Sequence, residues 1–138
     1  MTAAAERDKL LLQIGVQQRL FSQSAADDAA READGRPLAQ VLVERGDLGA
    51  EQARGLERAV TYRLGRDEDK RIAQIIIDSG YAPEKRVEDA MRRQKDFYAK
   101  TGELLRLATL LLEDGAISDS QQVAAYKLFK IEQAVRRE

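Results

Sequence analysis

The chain contains no cysteine, no histidine and no tryptophan. Without thiols there is neither a disulfide framework nor a thiolate nucleophile. Without imidazole there is no zinc site of the usual nitrogen and sulfur kind and no serine triad with an imidazole base. A carboxylate-bridged di-iron site of the Glu-x-x-His kind is excluded for the same reason. Long apolar runs are missing as well. The longest uncharged stretch, Leu10 to Gln18, has nine residues, against roughly 20 needed to span a bilayer, so no membrane insertion is expected. The opening MTAAAERDKLLL mixes acid and base ahead of a short apolar run and shows no cleavage-site pattern, which reads as a cytoplasmic protein without a signal peptide. Neither sign of charge dominates: 23 basic and 24 acidic residues leave a net charge of −1, which by itself points to neither nucleic acid nor a membrane surface.

Proline occurs twice and aromatics make up only 5% of the 138 residues, whereas Ala occurs 21 times among abundant Leu, Gln, Glu, Lys and Arg. Those are helix formers, and the expectation is an all-α fold in one domain over 1–138. Seven glycines (Gly35, Gly46, Gly49, Gly65, Gly80, Gly102 and Gly115) fall where an apolar periodic run stops or restarts, as helix-ending glycines do. Reading between them predicts helices near 5–18, 23–34, 36–45, 50–64, 67–79, 84–100, 103–114 and 119–137. Pro83 opens the sixth, and Ser118 with Gln121 has capping-box spacing for the eighth.

One frame recurs. LAQVLVERG (38–46), IAQIIIDSG (72–80) and LATLLLEDG (107–115) share an apolar residue, Ala, a polar residue, three apolar residues, an acid, a polar or charged residue and Gly, with the glycines 34 and 35 residues apart. LLQIGVQQR (11–19) is a degenerate copy with Gly15 at an apolar place and Arg19 at the Gly place. The β-branched copies could be strands by periodicity alone, but the Leu-rich copy has no strand signature, so all are read as helices. Each copy is followed by a short turn and a second helix. The expected architecture is therefore four tandem helix-turn-helix hairpins, about 5–34, 36–64, 67–100 and 103–137, stacked as a bundle or short solenoid. Leu38, Val41, Leu42, Ile72, Ile75, Ile76, Leu107, Leu110 and Leu111 form the expected core. Val87, Ala90, Met91, Gln94 and Tyr98 make the core-facing stripe of the sixth helix, and Ala124, Leu128, Ile131 and Val135 that of the eighth.

The third copy, Arg71-Ile72-Ala73 with Ile76, Gly80, Val87, Met91 and Gln94, resembles the repeating Arg-Leu-Gly-x2-Leu-x3-Gly-x6-Leu-x3-Leu-x2-Gln motif of the N-terminal domain of type II secretion and type IV pilus assembly ATPases, the MshE N-terminal domain. The last copy keeps Arg106, Leu107, Leu111 and Gly115. In that family two tandem motifs bind cyclic di-GMP. The resemblance thus implies a cyclic dinucleotide site of Arg71, Ile72, Ile76, Gly80 and Gln94 with Arg106, Leu107, Leu111 and Gly115. The repeat also looks like an accessory module joined to bacterial kinases and response regulators, which implies a protein partner in signalling. Every copy replaces the first Gly of the motif, by Ala39, Ala73, Ala108 or Leu12; if that Gly lets the backbone approach the ligand, the side chain here blocks it. The first expectation is therefore a non-catalytic interaction or adaptor module, and the second a cyclic di-GMP receptor.

No catalytic residue, metal ligand or cofactor is expected. The P-loop and dinucleotide fingerprints are absent. Asp67, Glu68 and Asp69 read as charges favouring a helix N-terminus, and Asp27 with Asp28 carry no better signal of acid/base chemistry. Arg71 and Arg106 are alternatively read as exposed side chains pairing with acids such as Asp67 or Glu103. Lys85, Arg86, Arg92, Arg93 and Lys95 are interrupted by Glu88, Asp89 and Asp96, which describes a solvated face and not a DNA-binding one.

Overall fold

The computed structural model describes residues 3–137. Met1, Thr2 and Glu138, at the limits of the domain expected over 1–138, lie outside the described residues. Those described form helices and connections without a strand, in the order α1 (Ala3–Gln17), α2 (Gln23–Ala33), α3 (Leu38–Glu44), α4 (Ala50–Asp78), α5 (Glu84–Thr101), α6 (Leu107–Glu113) and α7 (Asp119–Arg137). VLVERG and IAQIIIDSG are helical, as their shared frame with the Leu-rich copy requires.

The frame recurs in the structure as burial and as backbone. Leu38, Ala39, Val41 and Leu42 are buried, as are their counterparts Ile72, Ala73, Ile75 and Ile76, and Leu107, Ala108, Leu110 and Leu111. All nine expected core residues are among them. Gly46, Gly80 and Gly115 have φ of 85°, 74° and 72°. Each donates to the carbonyl three residues back, and the next residue donates five back, at 2.8–3.1 Å, which satisfies the last carbonyls of the helix. The degenerate copy closes in the same way with Arg19 at φ 59°: Arg19 N reaches Val16 O at 3.0 Å and Leu20 N reaches Gly15 O at 2.9 Å. Two residues beyond each stop a buried apolar side chain follows, Phe21, Leu48, Ala82 or Ile117. Ten residues beyond, Ala29, Leu56, Ala90 and Ala125 are buried in turn.

The chain divides into two compact units, one up to Thr61 and one from Tyr62 onward. The first is built on Leu11, Ile14, Phe21, Leu42, Leu56 and Val60. The second is built on Ile72, Ile76, Val87, Leu107, Leu111 and Ile117. In the first, α3 packs against α2; in the second, α6 packs against α5. These two contacts carry matching ion pairs of opposite polarity, Glu32 with Arg45 at 2.6 Å and Arg93 with Asp114 at 2.6 Å.

Three expectations are corrected. First, the helices predicted over 50–64 and 67–79 are one helix, α4, so there are seven helices among the described residues where eight were expected, and the hairpin boundary between 64 and 67 does not exist. Gly65 costs the helix about 1 kcal/mol yet does not stop it, because its role is to leave space: a Cβ there would stand 2.3 Å from Leu104 Cδ2. Asp67, Glu68 and Asp69 consequently lie inside α4, not at a helix start. Second, α6 begins at Leu107, not 103, because Glu103 to Arg106 form a non-helical connection after Gly102, whose φ of 74° ends α5. Third, α7 is turned away from its expected orientation. Its covered side is Ala125 with Tyr126 and Phe129, while Leu128, Ile131 and Val135 face outward.

The capping box holds: Ser118 N donates to Gln121 Oε1 at 2.9 Å and Gln121 N to Ser118 Oγ at 3.2 Å. Pro83 is the N-cap of α5, and its carbonyl accepts from Val87 N. Val87, Ala90 and Gln94 are buried and Met91 and Tyr98 half-buried, as the stripe predicts.

Candidate functional site: a closed carboxylate and an uncovered helix face

Asp69 is the polar centre of the second unit. It follows the same stripe as Ile72 and Ile76, at spacings of three and seven, so the helix carries it into the core, where it is 0% exposed. A carboxylate in that position needs donors on its lone pairs, and four groups supply them. Gln94 Nε2 donates at 2.6 Å and Leu107 N at 3.0 Å. Arg106 donates through Nη2 at 2.8 Å and through Nε at 3.3 Å. Arg106 Nη2 also donates to Glu68 Oε1 at 2.7 Å. Gln94, itself 0% exposed, donates further to Leu105 O and accepts from Arg66 Nη1 at 3.2 Å. The cluster thus clips the 103–106 connection onto α4 and α5 and caps the first amide of α6, a helix whose own N-cap, Arg106, supplies no capping side chain.

Burial works against the Arg106 charge, but the hydrogen bonds and charges of Asp69 and Glu68 outweigh it and raise its pKa. Burial likewise pushes the Tyr126 phenol above the ordinary tyrosine range; the Arg106 charge opposes this and the two carboxylates add to it.

The nine residues implied by the family resemblance fall into three environments. Ile72, Ile76, Leu107, Leu111 and Gln94 are buried side chains of the core and the carboxylate cluster. Gly80 and Gly115 are exposed helix ends. Of the two arginines, Arg106 is engaged with Glu68 and Asp69, in place of the surface pairing with Asp67 or Glu103 considered above. Asp67 instead faces Arg63 at 3.5 Å. Arg71 is half-buried, and its Nη2 is buried with no hydrogen-bond partner among the described residues. Three open cavities, of about 520, 250 and 410 Å³, are lined by none of these nine residues. The last is a groove between α4 and α5 whose lining mixes apolar Ile77 and Met91 with basic Lys70 and Lys95 and acidic Glu84 and Glu88.

The basic residues of α5 are largely matched by acceptors. Arg92 pairs with Asp89, Arg93 with Asp114, and Arg86 donates to the Asp114 carbonyl. Among the described residues no group of three or more acidic side chains could hold a metal ion, and no helix is long and apolar enough to cross a membrane.

The outer face of α7 differs from all of this. Val123, Leu128, Ile131 and Val135 are 53%, 42%, 60% and 65% exposed. Ala124, Leu128, Ile131 and Val135 follow one another at spacings of four, three and four, which is a single stripe on a helix. Helical counting found this stripe in the sequence; what it missed is that a second apolar side, Ala125, Tyr126 and Phe129, is the one the unit covers. Asp69 was also missed, although an acid in register with Ile72 and Ile76 is a signal for a buried carboxylate. Compared with protein-family models, with curated proteins and with solved structures, the chain matches none.

Proposed function

We propose that this chain is a non-catalytic protein-interaction or regulatory module. The observation that carries the reading is the outer face of α7, where Leu128, Ile131 and Val135, three large apolar side chains of one stripe, stand open to solvent. Apolar side chains scattered singly over a surface are ordinary, whereas a contiguous stripe is the usual mark of a surface that another macromolecule covers. The buried carboxylate of Asp69 is closed to solvent and saturated by donors, an arrangement suited to holding the 103–106 connection in place.

Photo-cross-linking from position 131 in cells of the natural host tests the reading. A protein adduct is expected from a photoreactive residue replacing Ile131 and none from one replacing Arg58, on the exposed side of α4. No adduct from 131 would overturn it.

A cyclic dinucleotide receptor is a second reading, favoured by one observation: Arg71 Nη2, a buried donor without a partner among the described residues. Calorimetric titration with cyclic di-GMP, with Arg71→Ala beside the parent, tests it. No heat at tens of micromolar nucleotide would end it.

A further inference from the structure

We infer that the α7 face is a self-association seam, in which α7 of a second copy lies alongside in parallel. The inference rests on the interaction reading above and names the partner. Written as a heptad, Leu128 and Val135 occupy a positions and Ala124 and Ile131 d positions, so the stripe has the 3–4 spacing of a two-helix seam. The flanks decide the orientation. Lys127 lies on one side of the stripe, at g, and Glu132 on the other, at e, and both are exposed. In a parallel pair each g residue faces the e residue five positions further along the other helix. Lys127 of one copy therefore meets Glu132 of the other, and the two-fold axis makes the contact twice. An antiparallel pair sets g against g and e against e, leaving Lys127 opposite Ala134 and Glu132 opposite Ala125, with no charge matched.

The number of strands follows from what α7 already covers. Bundles of three or four helices bury the e and g flanks of every helix as well as the seam. Here Ala125, an e residue, is already buried within its own unit, and Phe129 and Tyr126 are packed against the same core. One seam is free, so two copies close the assembly. Because the helix is held in place by its unit, the short stripe does not have to fold on association. The seam offers only Leu128, Ile131 and Val135 with Ala124 from each copy, so a weak dimer is expected, with Kd on the order of 100 µM.

Sedimentation equilibrium of the full chain up to millimolar concentration reads the association directly. A monomer–dimer equilibrium is expected. Ile131→Glu should abolish it, Lys127→Glu and Glu132→Lys should each weaken it at least tenfold, and the double reversal Lys127→Glu/Glu132→Lys should restore it. Circular dichroism accompanies each variant, and the two charge reversals, at exposed positions, keep the test valid if Ile131→Glu does not fold. The chain has no native cysteine, so Ile131→Cys gives a second measurement: residue 131 meets its own copy only in the parallel arrangement, and oxidation should yield a disulfide-linked dimer. A monomer at all concentrations, a dimer indifferent to Ile131→Glu, or a double reversal that does not recover would overturn the inference. A monomer that still gives a cross-linked adduct of another protein from position 131 would sink self-association and leave the interaction reading standing; no adduct at all would sink both.

Discussion

The carboxylate of Asp69, in the middle of α4, caps the first amide of α6: Leu107 N lies 3.0 Å from Asp69 Oδ2, across 38 residues of sequence. The same oxygen takes the Gln94 amide at 2.6 Å, so one buried side chain fixes a helix start, a connection and the flank of α5 together.

Replacing Asp69 with Ala should therefore lower the unfolding free energy by about 3–5 kcal/mol, the range for removing one partner of a buried ion pair. Arg106→Ala should cost about 1–3 kcal/mol, more than the ~0–1 kcal/mol of an exposed pair. Urea denaturation measures both, and the double variant should cost less than the sum because the two share one interaction. Additive losses would show that Asp69 and Arg106 act separately.

The four helix stops predict opposite responses to opposite substitutions. Arg19 holds φ 59° without the freedom of glycine, and Arg19→Gly should stabilise by about 1 kcal/mol. Gly80→Ala, at φ 74° with nothing near its missing Cβ, should destabilise by about 1 kcal/mol. Melting curves of the two variants should move in opposite directions; a shared direction would refute the common backbone stop.

Gly15 and Gly65 both leave space inside helices, but for different neighbours. A Cβ on Gly15 would meet the ring of buried Phe21 at 2.2 and 2.4 Å, and a packed ring has little room to move, so Gly15→Ala should cost about 1–3 kcal/mol. A Cβ on Gly65 would meet only the end of half-buried Leu104. That side chain can rotate, and the gain in helix propensity offsets the shift, so Gly65→Ala should be close to neutral. Denaturant midpoints compare the pair, and equal losses would contradict the assignment.

Tyr126 should ionise above the ordinary tyrosine value of 10.0, because burial disfavours its phenolate. The difference in ultraviolet absorbance between the parent and Tyr126→Phe isolates its titration. A phenol that ionises later when folded contributes stability that is full below the unfolded value and is lost as pH rises through the folded one. The parent should thus lose stability relative to Tyr126→Phe above about pH 10. A titration at or below that value would count against burial at this position.

The repeated frame made the first arms legible: an apolar pair, Ala and a closing Gly determine which residues are covered, and Leu38, Ile72 and Leu107 are found where that frame puts them. Two features were not legible. Gly65 has the composition of a helix stop, and only the position of Leu104, distant in sequence, shows that the glycine makes room for a side chain. On α7 both sides are apolar over the same turns, so periodicity supplies two possible stripes, and packing against the unit selects Phe129 over Ile131. The candidate site residues were legible as repeats of a motif, and helical periodicity already set Gln94 and Ile76 on core-facing stripes, where both are buried; the motif itself carries no information on which way they point.

The opposite polarities of Glu32–Arg45 and Arg93–Asp114 bear on how a repetitive chain avoids assembling wrongly. Near-identical arms compete for the same docking faces, and exchange between them is a characteristic failure of tandem repeats. Were α3 to settle on α5, Arg45 would confront Arg93; were α6 to settle on α2, Asp114 would confront Glu32. Giving both contacts one polarity, with Arg93→Glu and Asp114→Arg, should leave the native pair intact but slow refolding or add a misfolded phase, measurable by stopped-flow. On that outcome the inverted sign works as an address, telling each arm which neighbour is its own while the rest of the repeat looks the same.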